Sequence, residues 1–208
     1  MPCEAAIVMV TGPTGPGTAA PPATLGGYDM FALPTDGRPD LTTTNFAPFW
    51  GGDTLEFGAD LDINQTPGSW ATWSHGYSGT VYFADPILSG EAVTLTFPAS
   101  LKAFYLYVQP NLHGLFEFEF VADGVSQMLM IEGNGGAQYV GIYTDDPLGS
   151  LTTLLVAQRG GAAEGFAIGE FASNVRGGPI VPEPAQAAGV GLLLLSGLLL
   201  RKRRPNAL

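Results

Sequence analysis

Two glutamates, Glu117 and Glu119, come closest in this sequence to the paired carboxyl groups of a hydrolase. Both fall in Leu115–Ala122, whose alternation of apolar and polar residues predicts a β-strand. Side chains two positions apart on a strand share a face and lie about 6.8 Å apart, a separation at which two carboxyls can hydrolyse a glycosidic bond. That chemistry needs two different pKa values, and neighbours on one open face share one environment. We therefore keep a glycan-active hydrolase as the alternative function and predict that the chain is not an enzyme.

Asp60, Asp62 and Asn64 alternate like the first ligands of a calcium-binding loop. An EF-hand is excluded, because Gln65 stands where that loop needs Gly and Ala71 stands where it needs Glu. Loops of a β-sandwich could still assemble a calcium site from such side chains. We expect no cofactor, and the alternative is a structural calcium held by these three residues in a calcium-dependent carbohydrate-binding module.

Aromatic side chains are the strongest functional feature of the central part of the chain. Their rings can stack on sugar rings, with nearby carboxylates and amides binding the hydroxyl groups. The predicted glycan contacts are Trp50, Trp70, Trp73 and Tyr77. Further candidates of the same kind are Tyr82, Tyr105, Tyr107 and Tyr139. The alternative is that most of these rings fill the core.

The other reactive side chains form no catalytic pattern. His75 and His113 stand outside any His-x₃-His or His-Glu-x-x-His spacing, and no serine lies in a Gly-x-Ser-x-Gly context. Cys3 is the single cysteine, so the chain can form neither an internal disulfide nor a thiolate metal cluster. We therefore predict no catalytic residue. The only metal-ligand candidates are the three calcium candidates and the aspartates that could complete their site, Asp36, Asp40, Asp53, Asp145 and Asp146.

The charge distribution excludes one large class of partners. The chain has 19 acidic and 8 basic residues, and half of the bases are Arg201, Lys202, Arg203 and Arg204. Residues 1–184 therefore carry 19 acids and 4 bases, a net charge of −15. Such a body repels phosphate backbones, so we predict that the chain binds no nucleic acid.

The elements that must position these side chains are short β-strands. The 29 Gly and 17 Pro favour short elements joined by turns. Segments of six to eight residues, rich in β-branched and aromatic types, predict strands at Gly79–Ala84, Ala92–Phe97, Ala103–Gln109, Leu115–Ala122, Val125–Glu132, Ala137–Tyr143, Leu151–Ala157 and Gly165–Phe171. We expect an all-β fold, an antiparallel, jelly-roll-like β-sandwich over residues 25–172. Periodicity is weak in residues 25–75, where turn signals crowd, so we assign no strand there.

One hairpin can be placed in register from the sequence. Asp123-Gly124 is a strong signal for a two-residue type I′ turn. Counting outward, the turn opposes Ala122 to Val125, Phe120 to Gln127, Phe118 to Leu129 and Phe116 to Ile131.

Three features follow one another at the C terminus. A linker of residues 173–184 ends in the motif Val181, Pro182, Glu183 and Pro184. The apolar run 185–200 would span about 24 Å as a helix, short of the ~30 Å hydrocarbon core, which predicts a single short transmembrane helix. Residues 201–208 form a basic tail that should stay in the cytoplasm. A buried C-terminal helix is the alternative, but a core helix would show one polar face.

This order of a Pro-Glu-Pro motif, an apolar span and a basic cluster resembles the PEP-CTERM sorting signal, which is also labelled an ice-binding protein C-terminal motif. The resemblance implies processing near Pro182–Pro184 by an exosortase-type enzyme in a Gram-negative, exopolysaccharide-producing bacterium. It also implies an exported protein that passes through a transient inner-membrane intermediate and ends at the cell surface or in the extracellular matrix.

The central part of the chain resembles the β-rich ectodomain that many PEP-CTERM proteins carry. The likeness rests on Gly76–Tyr82, Ala103–Tyr107, Asp123-Gly124 and Phe166–Phe171, and it covers roughly residues 76–172. These ectodomains imply no enzymatic activity. We therefore expect a non-enzymatic surface or matrix protein that binds exopolysaccharide.

Proteins with this signal begin with a Sec signal peptide, in which basic residues precede an apolar stretch. Residues 1–23 contain no Lys or Arg, and the apolar run Ala5–Val10 is six residues long. We interpret residues 1–24 as a disordered or loop segment, either a degenerate signal peptide or the product of a misplaced start.

Overall fold

The computed structural model describes residues 6–12, 20–86, 92–134, 136–160 and 164–176. Apart from a 3₁₀ turn at Trp50–Gly52, every regular element in these ranges is a β-strand, which confirms the predicted all-β class. The strands are β1 (Ile7–Thr11), β2 (Thr24–Leu25), β3 (Tyr28–Asp29), β4 (Phe31–Ala32), β5 (Thr43–Pro48), β6 (Thr54–Thr66), β7 (Gly79–Ala84), β8 (Ala92–Leu101), β9 (Ala103–Pro110), β10 (Leu115–Ala122), β11 (Val125–Glu132), β12 (Gln138–Thr144), β13 (Leu151–Arg159) and β14 (Phe166–Ser173).

Twelve of these strands form one continuous antiparallel sheet. Its hydrogen-bonded order is β1-β12-β9-β14-β7-β6-β8-β13-β10-β11, with β4 beside β14 and β5 beside β6, while β2 and β3 form a separate ribbon. The large sheet is nearly closed into a barrel. Its order places β14, the last strand, between β7 and β9, so that side chains far apart in sequence meet in its centre.

The hairpin of β10 and β11 has the predicted register. Asp123 and Gly124 have φ values of 44° and 89°, because a type I′ turn requires positive φ at both central residues. All four residue pairs predicted outward from the turn are present. Phe118 and Phe120 on the inner face are fully buried, so the local alternation of apolar side chains determines which face enters the core.

Strand β6 is the longest element that the sequence analysis missed. Thirteen residues long, it buries Leu55, Phe57, Leu61 and Ile63, which repeat with the period of two expected for a strand. The pattern is obscured because Gly58 and acidic residues occupy the positions between them, on the more exposed side. Residues 25–75, to which the sequence analysis assigned no strand, thus contain β3, β4, β5 and β6.

The first strand also departs from the prediction. β1 pairs with β12, from Ile7 opposite Thr144 to Thr11 opposite Val140. The side chains of Ile7 and Met9 pack against the main core. The loop prediction is therefore wrong for Ile7–Thr11, because the short apolar run is stabilised as a strand by burial against the rest of the sheet.

The central strands are buried on both faces. In β9, Phe104 and Leu106 enter the main core, whereas Tyr105 and Tyr107 on the opposite side enter a second cluster. The main core consists chiefly of aliphatic and phenylalanine side chains. The second cluster contains Trp73 and Tyr139 in addition to Tyr105 and Tyr107. The second cluster therefore holds the hydroxyl and indole groups that could bind a ligand.

The C-terminal signal lies outside the described residues. This applies to Val181–Pro184, to the apolar run 185–200 and to Arg201–Arg204. Within the described ranges, no helix has the length and apolar character needed to cross a membrane. The sorting signal and its transmembrane helix stay predictions.

Candidate functional site

Three tyrosines on neighbouring strands form the centre of the site. Tyr105 and Tyr107 belong to β9, and Tyr139 of β12 lies directly opposite Tyr107. The ring centroid of Tyr139 lies 5.3 Å from that of Tyr105 and 5.6 Å from that of Tyr107, within the range of attractive aromatic pairs. Burial raises the pKa of Tyr139 to about 12 and also raises the pKa values of the other two, so all three hydroxyls are neutral at physiological pH. These three residues are the tyrosine cluster.

Glycine provides the space that this cluster needs. A Cβ atom on Gly141 would lie 2.5 Å from the hydroxyl oxygen of Tyr139 and 3.0 Å from Cδ1 of Leu25. A Cβ atom on Gly12 would lie 2.9 Å from Cβ of Tyr139. These separations are below van der Waals contact, so the position of the Tyr139 ring depends on both glycines.

The loop of residues 67–78 packs on the tyrosine cluster. The imidazole of His75 lies against the ring of Tyr107, with 5.5 Å between centroids. We call this segment the anchor loop, because its side chains bind it to the sheet. The hydrogen bonds run from Trp70 Nε1 to Gln109 Oε1 (2.9 Å), from Trp73 Nε1 to Glu170 Oε2 (3.0 Å) and from the Ser74 hydroxyl to the Ala137 carbonyl.

Glu170 is the buried acid that holds the anchor loop. Its side chain is 9 % exposed, and its Oε1 lies 2.6 Å from Nε2 of His75. Burial raises the pKa of Glu170 to about 8, against the opposing effect of the hydrogen bond from Trp73. Burial also lowers the pKa of His75. Both shifts favour an uncharged pair, in which the Glu170 carboxyl and the His75 imidazole lie in contact without a full charge on either.

Both members of this pair have a left-handed backbone conformation. The φ angle is 52° at Glu170 and 41° at His75, values that residues other than glycine rarely adopt and that cost on the order of 1–3 kcal/mol each. At Glu170 the pairing of β14 with β9 is irregular between Gly169 and Ala172, and such a bulge redirects a side chain. Because strained residues concentrate at functional sites, the pair marks this face as the candidate site.

An open cleft of about 470 Å³ lies beside the tyrosine cluster, a volume typical of small-molecule sites. None of the described residues that line this cleft carries a charge. The hydroxyl of Tyr139 is buried at its wall and has no hydrogen-bond partner among the described residues. We call it the tyrosine cleft, and its main apolar and aromatic walls are Pro21, Pro22, Leu25, Tyr107, Tyr139 and Tyr143.

Ser74 connects the acid pair to the tyrosine cleft. It lines the cleft and stands in the chain between Trp73 and His75, the two residues that contact Glu170. The position of Ser74 in the cleft wall therefore depends on the carboxyl group of Glu170, which does not itself line the cleft.

A second, smaller cleft of about 170 Å³ is lined by Glu170 and Asp36. Hydrogen bonds from Arg38 and Tyr82 hold the pKa of Asp36 below its usual value, although burial acts in the opposite direction. The pKa values of the two carboxyls are thus moved in opposite directions, the pattern of an acid and a base. Asp36 is nevertheless occupied, because Arg38 donates to both of its oxygens and the Tyr82 hydroxyl donates at 2.8 Å.

The structure does not bring the four predicted glycan contacts together. Trp50 packs against the main core, whereas Trp70, Trp73 and Tyr77 belong to the second cluster. Trp73 is buried, and the polar atoms of these three side chains are hydrogen-bonded within the protein. None of the four is among the residues that line the tyrosine cleft.

Glu117 and Glu119 lie on the solvent side of β10. The carboxylate of Glu119 accepts hydrogen bonds from Ser126 at 2.6 Å and Arg159 at 2.7 Å, and these two partners lower its pKa. Glu117 is exposed on the same face, and neither carboxyl lines either of the two clefts described above. The expectation that the chain is not an enzyme stays a prediction.

The calcium candidates lie on a strand rather than in a loop. Asp60, Asp62 and Asn64 occupy alternate positions of β6, and the side chain of Asn64 is mostly buried. Asp62 accepts a hydrogen bond from Thr43 at 3.0 Å. In the part of the chain that the structure describes, no group of three or more His, Cys, Asp or Glu side chains is placed to hold a metal ion.

His113 takes no part in the described site. His113 lies in an exposed turn between β9 and β10. Cys3 lies outside the described residues.

No family model matches the chain, and no curated protein sequence matches it.

Proposed function

We propose that this chain is a non-enzymatic, exported surface or matrix protein that is sorted and processed through its C-terminal signal. The observation that carries this proposal is the order of the three parts: the motif Val181–Pro184, the apolar run 185–200 and the basic cluster Arg201–Arg204. The apolar run forms a single short transmembrane helix in the inner membrane, with the basic tail in the cytoplasm. An exosortase-type enzyme then cleaves near Pro182–Pro184 and releases the folded body to the surface or matrix.

The body itself is a polysaccharide-binding module, and the tyrosine cleft is its binding site. The nearly closed sheet serves as a jelly-roll-like sandwich, and the cleft lies on the side of the sheet that carries the second cluster. A volume of about 470 Å³, neutral tyrosine hydroxyls and rigid proline walls support this role. In this proposal the sugar rings contact the tyrosines of the cleft wall, Tyr107, Tyr139 and Tyr143. They do not contact the expected set of Trp50, Trp70, Trp73 and Tyr77.

The sorting claim is tested in a bacterium that contains an exosortase. The full gene product is followed through an epitope in the exposed turn at His113, and intact mass is measured in each cell fraction. We expect the wild-type chain to end near Pro184 and to leave the membrane fraction. Pro182→Ala combined with Pro184→Ala should keep its full mass in the membrane, whereas the matched control Pro205→Ala should be processed normally. A mature wild-type protein that retains Arg201–Arg204 would contradict the proposal.

The polysaccharide claim is tested with the processed protein recovered from these cells. We expect it to sediment with the insoluble exopolysaccharide of its host and to be released by soluble fragments of that polymer. A protein that stays in the supernatant at every polymer concentration would contradict this part of the proposal while leaving the sorting claim intact.

A further inference from the structure

The basic side chains of the acidic body are all engaged within the protein. Outside the C-terminal tail there are four, and the structure describes all of them. Arg38 pairs with the buried Asp36 at 2.6 Å and lies 4.1 Å from the centre of the Phe46 ring. Lys102 donates to the carbonyl oxygens of Pro147, at 2.7 Å, and Gly149.

The other two cations are occupied at a distance from the cleft lining. Arg159 forms an ion pair with Glu119 at 2.7 Å on the outer face of the sheet. Arg176 lies over two aromatic rings, 5.8 Å from Phe31 and 5.6 Å from Trp50. None of the four lines the tyrosine cleft.

An acidic ligand would therefore meet no counter-charge in the tyrosine cleft. Residues 1–184 carry a net charge of −15, so the surrounding field repels anions before contact. Transfer of an unpaired carboxylate from water into an uncharged, largely apolar cleft is unfavourable, because the charge loses its hydration without gaining a counter-charge. Calcium could bridge the charges in principle, but no described group of acidic side chains is placed to hold it.

The cleft does offer partners to a neutral ligand. Thr11, Thr24 and Gln138 contribute uncharged polar groups to the lining, which can exchange hydrogen bonds with sugar hydroxyls. Tyrosine and proline walls match the apolar faces of a sugar ring.

We infer that the tyrosine cleft selects neutral polysaccharides and rejects polyuronates and other anionic polymers. This inference rests on the proposed polysaccharide-binding function and adds the substrate class of that same site. Binding should be almost independent of ionic strength, because no ion pair contributes to it.

The test measures the affinity of the processed protein for a neutral glucan, a neutral galactan and a polyuronate, each with calcium and with chelator. Thr24→Lys places a cation at the exposed rim of the cleft, and the matched control is Leu148→Lys, because Leu148 is 93 % exposed and does not line the cleft. We expect wild type and control to bind a neutral polymer with no salt dependence. Thr24→Lys should gain at least about tenfold affinity for polyuronate, with a steep salt dependence.

A second variant guards against a folding defect in the first. Thr24→Trp fills the cleft without adding charge and should lower the affinity for the neutral polymer at least about tenfold, whereas Leu148→Trp should leave it unchanged. Tighter binding of polyuronate than of neutral polymer by wild type, with or without calcium, would overturn the inference and keep the polysaccharide function. Binding of no polymer by wild type would overturn that function itself. Neutral binding that Thr24→Trp leaves unchanged would show that the cleft is not the site.

Discussion

The two buried faces of β9 differ in chemistry although they share one strand. On one face, Phe104 and Leu106 join a main core that is built chiefly of hydrocarbon side chains. On the other face, Tyr105 and Tyr107 join a cluster that borders a buried glutamic acid, a histidine and an uncharged cleft. A face that only stabilises the fold has no need of hydroxyls, a strained acid or open volume.

The two faces of β9 should respond differently to substitution. The main core should respond to the loss of volume, because the burial of hydrocarbon side chains contributes most of its stability. The face of β9 that carries Tyr105 and Tyr107, together with the anchor loop and the tyrosine cleft beside it, is the tyrosine face. It should respond to changes in proton binding, hydrogen bonding and local space. The four substitutions below probe these differences, from the largest expected effect to the smallest.

Phe118→Ala tests the main core. The side chain is fully buried and packs edge-on against Phe166, with 5.3 Å between ring centroids. Its removal should lower the free energy of unfolding by about 3–5 kcal/mol, measured by denaturant titration. Leu148→Ala, at a 93 % exposed position, is the control and should change stability by less than about 0.5 kcal/mol. Similar losses in both variants would contradict the assigned core.

Gly141→Ala tests the space beneath the tyrosine cluster. The new Cβ atom would lie 2.5 Å from the Tyr139 hydroxyl, so the ring must move, at a cost of about 1–3 kcal/mol in the free energy of unfolding. Gly37→Ala is the matched control, because a Cβ atom there meets nothing within 4 Å. The two alanine variants are compared by thermal unfolding, and equal stability would show that the ring is not placed as described.

Glu170→Gln tests the proton bound by the buried acid. The folded chain keeps this proton up to a pKa of about 8, whereas the unfolded chain releases it near 4.5. The free energy of unfolding should therefore fall as pH rises from about 4.5 to 8, by at most about 1.4 kcal/mol per pH unit from this group. The lowered pKa of His75 has the opposite effect, but only as pH falls through 6.5 and below.

The informative window thus runs from about pH 6.5 to 8. Wild type should lose stability across it, and Glu170→Gln should lose much less, because the amide mimics the protonated acid and does not titrate. Denaturant titrations at several pH values give both slopes. Parallel slopes would mean that Glu170 is ionised in the folded protein.

Tyr139→Phe should have the smallest effect on stability. The hydroxyl is buried without a partner among the described residues, so its removal deletes no described hydrogen bond. We expect the free energy of unfolding to stay within about 1 kcal/mol of wild type or to rise slightly. Tyr105→Phe, measured in the same way, is the comparison. A larger loss of unfolding free energy in Tyr139→Phe would reveal a hydrogen-bond partner for the Tyr139 hydroxyl.

Local signals made part of the fold predictable. The hairpin of β10 and β11 followed from Asp123-Gly124 and the adjacent alternation, which need no information from distant residues. β6 shows the opposite case, because its buried Leu55, Phe57, Leu61 and Ile63 repeat correctly but are interrupted by glycine and acids. The apolar residues at alternate positions predict this strand once the turn-forming residues between them are ignored.

The site was less predictable than the fold. Trp73 and Glu170 are 97 positions apart, and only the sheet order, with β14 between β7 and β9, makes their contact possible. One signal was present: Glu170 is the single charged residue of the strand Phe166–Ser173, in which Ser173 is the other polar residue. A carboxyl group in a strand that is buried on both faces must pair with another group or stay protonated. Glu170 lies beside such a partner, His75, and its pKa is raised.

We propose that the tyrosine face, and not the outer face of β10 and β11, is the functional surface. The decisive experiment is hydrogen–deuterium exchange of the processed protein, with and without saturating neutral exopolysaccharide. We expect slower exchange in β2, in β12 and in the anchor loop, residues 67–78, with unchanged exchange in β10 and β11. Protection confined to β10 and β11 would contradict it.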